Sequence, residues 1–435
     1  VGENCAQCYS FQRYTDDGSM IGAAIRSFDL NKAQEEGVLS CLAARECSHK
    51  NTVKLIWGPP GTGKTKTVSS LLFALLKKKC RTLTCAPTNV AVLEVTSRFL
   101  RLVTESIDYH TYGLGDIVLF GNGKRMSIDD RADLLDIFLD YRANILAKCF
   151  APLSGWKHHL EQLILLLENP EEQYREYLKC EEKRDYEIDD DDDCLKEENE
   201  LHAIASQQTK QEKKHMSQDS KIFKQNEWMK IINKTLRENR LCFKEANKSK
   251  YDKPEKKDFL FRENKVQNLT FHEFVKKKMN YNWRWMRTFA VDMCTHLPTS
   301  FISLRQVKCS FECLDLLKVL AEMLSNNSIT DQQLYKTRKE CLTKLKSLQK
   351  IILPDFFDEY TIKHFCIERS RMIFCTASSS ARLHAVEHYR LEMLVIDEAA
   401  QLKECESNIP LQLPGLRHVV LIGDEKQLPA LVKSE

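Results

Sequence analysis

The chain has 435 residues, enough for one large domain with insertions or for two domains, and its 43% apolar share is ample for a folded core. A net charge of +3 excludes any argument for a nucleic-acid partner from total charge, so such a partner has to be read from local patches. No apolar run approaches the length of a membrane span, so no membrane partner is expected.

The 17 cysteines are scattered through helical and strand-like segments rather than framed as a small disulfide scaffold. Cys5 and Cys8 form one CxxC pair, and a single pair without a second at matching spacing argues weakly for zinc. Reduced cysteines of a nuclear or cytoplasmic protein are the simpler reading. The chain begins at Val1 rather than Met and stops at Glu435 with no element coming to a close, so it reads as part of a longer protein.

Residues 1–26 carry no usable periodicity. From Phe28 a helix is expected through Val38, Leu39 and Leu42, with Asn31 as its N-cap. Gln34 lies on this helix just upstream of a phosphate motif. Its amide donates and accepts at once, which suits the edge of adenine; without the phosphate motif that follows, an ordinary exposed helical position would be the better reading.

Val53, Leu55 and Ile56 then lead as a strand into Gly58-Pro59-Pro60-Gly61-Thr62-Gly63-Lys64-Thr65, and Thr67 to Leu76 continues as a helix. Strand, glycine-rich loop and helix in this order make a phosphate cradle, because backbone N–H groups and the positive helix end converge on phosphate oxygens. Lys64 is placed to reach the β- and γ-phosphates of ATP, and the Thr65 hydroxyl to hold Mg²⁺.

Residues 81–86 read as a buried strand ending at Pro87-Thr88-Asn89, with a helix from Val90 to Leu102. Small polar residues at the carboxyl end of a parallel strand face the ligand side of an α/β sheet. Thr88 and Asn89 therefore fit either a nucleic-acid phosphate or the cap of the next helix. Residues 116–122 form another short strand with a turn.

The α/β alternation then stops until about Met372. Connections within a sheet are typically about 4–6 residues, so 123–365 is an inserted substructure. Residues 129–168 are helical in period until Pro170. The acidic block at 187–193 opens a charged tract, about 181–257, whose composition reads as disordered or solvated. Its unspaced aspartates lack the glycine turn of a calcium loop. After Thr270, a candidate N-cap, helical spacing returns. Tyr281, Trp283 and Trp285 lie among Lys276, Lys277, Lys278, Arg284 and Arg287, a pattern that fits base stacking but more often marks a core-packed helix. Residues 304–324 and 334–352 read as two further helices, an antiparallel pair.

The strand at 371–377 precedes a second informative stretch, Leu394-Val395-Ile396-Asp397-Glu398-Ala399-Ala400-Gln401. An apolar strand delivering two carboxylates at its end supplies the acidic half of a nucleotide hydrolase. Asp397 is placed to order the Mg²⁺ shell and Glu398 to polarise the attacking water. A final strand, 419–423, leads to Asp424 and Gln427-Leu428-Pro429, where Gln427 is placed to sense the γ-phosphate or its water.

Leu30-Asn31 with Gln34, Gly58 to Thr65, Ala86-Pro87-Thr88-Asn89, Asp397-Glu398-Ala399, and Gly423-Asp424 with Gln427-Leu428-Pro429 occur in an order that resembles the first motor lobe of a superfamily-1 helicase. The nearest group is the senataxin-like and nonsense-mediated-decay helicases, with a plant member suggested by the character of the insertion. The resemblance implies adenine contact at Gln34, phosphate and Mg²⁺ binding, single-strand contact by Pro87, Thr88 and Asn89, hydrolysis at Asp397 and Glu398, and coupling through Gln427.

The expected fold is α/β: a RecA-like P-loop NTPase lobe with a parallel sheet, in two parts (27–122 and 366–435) and interrupted by a large, mostly helical insertion. The implied activity is ATP-dependent translocation on single-stranded RNA or DNA, with unwinding. Expected partners are that strand, a second motor lobe of the same full-length chain, and proteins docking through the insertion. The family favours the nucleus. The rival reading is an ATP-dependent switch or scaffold that binds nucleotide without unwinding, and intact Lys64, Asp397, Glu398 and Gln427 speak for the motor.

Overall fold

The computed structural model describes residues 20–46, 50–186, 269–324, 331–356, 358–386, 390–424 and 426. Cys5 and Cys8, residues 187–257 of the charged tract, and Gln427-Leu428-Pro429 lie outside the described residues. Among the described residues, no helix is long and apolar enough to cross a membrane.

Six strands form one parallel sheet: β1 (Thr52–Trp57), β2 (Thr82–Ala86), β3 (Ile117–Leu119), β4 (Met372–Thr376), β5 (Met393–Ile396) and β6 (His418–Gly423). Their order is β1-β6-β5-β2-β4-β3, and every adjacent pair runs parallel. Strands buried on both faces do not alternate: β3 and β5 are continuous apolar runs, and β2 is buried throughout, with Thr82 and Thr84 beside Leu83, Cys85 and Ala86. The edge strand β1 alternates instead, with Val53, Leu55 and Trp57 on its exposed side.

One face of the sheet presents Phe374, Val395, Val420 and Ile422 to helices built on a 3.6-residue period. These are α1 (Met20–Ser27), α2 (Lys32–Glu46), α3 (Lys64–Lys77) and α4 (Asn89–Glu105). Val68, Leu71, Leu72 and Leu75 of α3 and Phe99 of α4 fill that core, and the Phe99 and Phe374 rings lie 5.2 Å apart. The chain divides into two compact units, one holding this sheet (1–147, 291–307 and 359–435) and one helical (148–290 and 308–358).

Within the sheet unit, 128–138 departs from the helical expectation. It forms two 3-10 turns, Ile128–Asp130 and Leu135–Ile137, and a helix (α5, Leu139–Phe150) starts only at Leu139. Leu134, Ile137 and Phe138 have helix-like spacing because all three drop into the sheet's core, while extended Phe138 bridges Leu119. A buried polar knot ties this region. Arg142 donates to the carbonyls of Leu114 (2.9 Å), Gly115 (3.1 Å) and Asp136 (3.1 Å). The Thr299 N–H and hydroxyl donate to Asp116 at 2.8 and 2.6 Å.

The helical unit contains α6 (Trp156–Glu168), α7 (Pro170–Tyr186), most of α8 (Phe271–His296) and of α9 (Leu304–Met323), and α10 (Asp331–Leu348). Pro170 takes the first position of α7, where its missing N–H costs nothing, and α7 runs on to Tyr186, past the expected start of the charged tract. Thr270 and Glu273 form a capping box at the start of α8. Arg338 donates to the carbonyls of Leu167 (2.6 Å) and Glu168 (3.1 Å), satisfying the open end of α6. Lys344 meets Glu312 at 2.8 Å and Ser347 approaches Cys309, which sets α9 and α10 antiparallel. Trp285 stacks on His159, and the Trp283 indole N–H donates to the Leu314 carbonyl, so these two tryptophans serve packing. A last long helix of the sheet unit, α11 (Glu359–Arg369), leads into β4.

Candidate nucleotide site

The carboxyl ends of parallel strands share one edge of the sheet, and the strand order decides what meets there. The glycine-rich loop follows β1, Asp424 follows β6, Asp397 and Glu398 follow β5, and Pro87 to Asn89 follow β2. These four strands are consecutive in the sheet, so motifs more than 300 residues apart in the chain become neighbours. The Gly58 N–H donates to the Gly423 carbonyl at 3.4 Å, and the Asp397 N–H to the Cys85 carbonyl at 2.9 Å, lacing the loop ends together.

Gly63 caps α3 in the left-handed region (φ 81°), which side chains other than glycine's rarely adopt. Gly58 is needed for another reason: a Cβ there would stand 2.7 Å from the Thr62 hydroxyl, which itself donates to the Pro59 carbonyl at 2.8 Å. The Lys64 ammonium turns back into the loop, donating to the Gly58 carbonyl at 2.7 Å and to the Pro59 carbonyl at 3.4 Å. The backbone N–H groups of Gly63, Lys64 and Thr65 have no partner among the described residues. Unpaired donors at a helix start, with a cation beside them, are a ready site for phosphate oxygens. The Thr65 side chain is half-buried next to them.

Gln34 is engaged twice. Its side-chain oxygen accepts from the Asn31 N–H at 2.9 Å while Asn31 accepts from the Gln34 N–H at 2.9 Å, a reciprocal cap of α2. Its amide nitrogen donates to the Thr62 carbonyl at 2.9 Å, so the α2 start is fastened to the phosphate loop. Sequence reading found both Asn31 and Gln34 but not this bond, which spans 28 residues.

Asp397 is 4% exposed, and burial together with the neighbouring Glu398 carboxylate raises its pKa from 3.8 to about 6. The Lys64 charge acts in the opposite direction, which puts the loop's cation within electrostatic reach of the acid. The Glu398 N–H donates to Asp397 at 3.0 Å, and the Glu398 carboxylate accepts from the Gln401 amide at 3.3 Å. Glu398 itself sits in the left-handed region (φ 51°, ψ 39°), which swings its side chain away from the strand's alternation. A Mg²⁺–triphosphate fits this donor set: oxygen ligands from Thr65 and Asp397 for a hard cation, and unpaired N–H groups with an ammonium for the phosphates.

Thr88 caps α4, its hydroxyl accepting from the Ala91 N–H at 3.2 Å, so the capping alternative is realised here. Pro87 and Asn89 are half-buried and Thr88 exposed on the same edge. Two residues escaped sequence reading. Gln401, which holds Glu398, lay inside the quoted acidic stretch, whereas Arg142 looked like any polar residue on an amphipathic helix.

A family model described as an AAA domain matches residues 29–435. The DNA-binding protein SMUBP-2 of Rattus norvegicus is 32% identical over 121 residues, 25% of this chain and 11% of the rat protein. Helicase sen1 of Schizosaccharomyces pombe is 31% identical over 144 residues, 28% of this chain and 8% of the yeast protein. The human probable helicase senataxin is 31% identical over 136 residues, 27% of this chain and 5% of the human protein. The matches thus take in only a small part of each relative's length.

Proposed function

We propose ATP-dependent helicase chemistry for this chain, which belongs to the AAA domain family and is related to the senataxin-like superfamily-1 helicases. The observation that carries the proposal is the run of β1, β6, β5 and β2 along one sheet edge, which gathers the phosphate loop, Asp397, Glu398 and Thr88. A cation within reach of a buried acid is what a metal–triphosphate needs on either side of it.

In this reading Gly58 to Thr65 cradle the phosphates, with Lys64 exchanging the Gly58 carbonyl for phosphate oxygen. Thr65 and Asp397 hold Mg²⁺, which when bound neutralises charge on the transferred phosphoryl group. Glu398, already aimed by Gln401, orients the attacking water and takes its proton. Gln34 supports the loop through Thr62 and offers its amide to adenine, and Gln427 couples nucleotide state to movement. Pro87, Thr88 and Asn89 contact the backbone of single-stranded RNA or DNA. A second motor lobe of the same full-length chain supplies the transition-state arginine, worth about 10³–10⁵ in rate in related phosphoryl transfers. The protein is expected to work in the nucleus or cytoplasm, with proteins docking through the insertion.

The test is phosphate release by the full-length protein with and without single-stranded polymer. Turnover should rise on adding RNA or DNA, and Lys64→Ala should lose both turnover and affinity for a fluorescent ATP analogue. Turnover that neither polymer stimulates would favour a nucleotide switch over a motor.

A further inference from the structure

We propose that the cavity at the carboxyl end of β3 is a subsite for one nucleotide of a bound single strand; this rests on the helicase reading above and extends it. The cavity has a volume of about 580 Å³, within the roughly 300–1,000 Å³ of small-ligand sites. It lies wholly in the sheet unit, between the turn after β3, the start of α5, α11 and the 3-10 segment after β4 (Ser378–Ala385).

Its lining divides by chemistry. Lys363 is already committed, to Asp140 at 2.6 Å and Glu359 at 2.7 Å. Lys124 and Arg382 are exposed, and their side chains make no hydrogen bond or ion pair among the described residues. Two uncommitted cations from different elements suit a phosphate oxygen pair. One part of the wall is apolar and aromatic, beside the polar Asn122 and Asn144: Phe138 is buried, and Tyr141 is half-buried with its ring braced edge-on against His296 at 6.1 Å. A bare anion has no use for such walls, whereas a base can lie against them. Asp129 lines the same space and offers an acceptor to an exocyclic amino group.

Position decides between a free nucleotide and a strand. β2, β4 and β3 are successive strands, about 4.8 Å apart in a sheet. A strand lying over Thr88 at the end of β2 therefore reaches the cavity after about 10 Å along the same edge. Lys124 and Arg382 would hold its backbone there while one base turns in toward Tyr141.

The experiment measures anisotropy of labelled oligo-rU and oligo-dT of equal length, from low to moderate salt, on the wild type and on Lys124→Ala/Arg382→Ala. A fluorescent ATP analogue in the same samples reports that each protein is folded. The double variant is expected to bind at least about tenfold more weakly at low salt, with a salt slope reduced by roughly 1.4, at about 0.7 per lost phosphate contact on single strands. Arg382→Lys should recover part of the loss. Loss with one polymer alone supports the subsite and shows that it distinguishes the two, which differ in the 2′-hydroxyl and in the 5-methyl of the base. Unchanged affinity and slope with both polymers would overturn the subsite while leaving the helicase reading intact. A wild type that binds neither polymer would overturn both.

Discussion

Replacing Asp397 by Asn is expected to stabilise the nucleotide-free protein at neutral pH while removing its response to magnesium–ATP. Burial, then the Glu398 carboxylate, raises the Asp397 pKa from 3.8 to about 6. A carboxyl whose folded pKa is raised binds its proton more tightly folded than unfolded. Its ionisation therefore costs stability in full above about pH 6, and the cost disappears as pH falls toward 3.8. At about 1.36 kcal/mol per pKa unit the full cost is about 3 kcal/mol. Asparagine keeps the oxygen that accepts from the Glu398 N–H, but its NH₂ group must find acceptors, so a net gain of about 1–3 kcal/mol is expected. At roughly 2–4 °C per kcal/mol this is a Tm rise of about 2–12 °C. Thermal melts in EDTA at pH 7.5 and pH 4.5 measure it, and the advantage should shrink at the lower pH. Adding magnesium–ATP at about 100 times its Kd should raise wild-type stability by about 2.7 kcal/mol and the variant's by much less. A variant less stable than wild type at pH 7.5, or a difference that ignores pH, would refute the reasoning.

Substitutions at three positions separate architecture from chemistry. Glu398→Gly relieves a left-handed backbone that costs an L-residue roughly 1–2 kcal/mol, so it should raise Tm while abolishing turnover. Glu398→Gln should abolish turnover with no such rise, as paired melts and phosphate-release assays would reveal. Thr88→Ala removes the α4 cap and should cost about 1 kcal/mol in denaturant unfolding, whereas Thr88→Ser should restore it. Arg142→Ala leaves the Gly115 carbonyl without a donor, while Leu114 keeps the Ile117 N–H and Asp136 keeps the His296 ring, and should cost about 1–3 kcal/mol. Arg142→Lys should not recover that loss, because an ammonium on a flexible stem cannot reproduce the planar fork.

Much of the sheet unit was legible because its signals are local. Gly58 to Thr65 and Leu394 to Glu398 each announce a strand and the loop beyond it within about ten residues. The order of the strands was not legible, since β1 pairs with β6 across more than 350 residues and nothing in either sequence names its partner. The double engagement of Gln34 was hidden for the same reason: one bond is a local cap, and the other needs the folded loop. At Leu134, Ile137 and Phe138 a helix-like period came from 3-10 turns entering a core, where spacing alone cannot tell the two apart. Trp283 and Trp285 followed the commoner rule, burying ring surface and leaving Arg284 and Arg287 outside.

The strand order also explains how so long an insertion leaves the nucleotide edge undisturbed. The sheet is interrupted between Leu119 and Met372, yet β3 and β4 are direct neighbours, with Ile117 opposite Met372 and Leu119 opposite Phe374. The Arg371 N–H donates to the Asp116 carbonyl at 2.8 Å, and the Phe120 N–H to the Phe374 carbonyl at 3.0 Å, so the two cut ends are stitched at both sides of the pair. Asp116 also holds Thr299 by two hydrogen bonds, fixing a stretch of the inserted chain to the same point. β3 is the far edge of the sheet and β1 the opposite one. Each doubling of a flexible loop adds only about 0.6 kcal/mol of closure cost, so length gained between β3 and β4 is a small burden on the fold. Length gained in the connection after β1, or in the one from β5 to β6, would instead open beside the phosphate loop or Asp397. The interruption falls where the sheet tolerates it and where its chemistry is not.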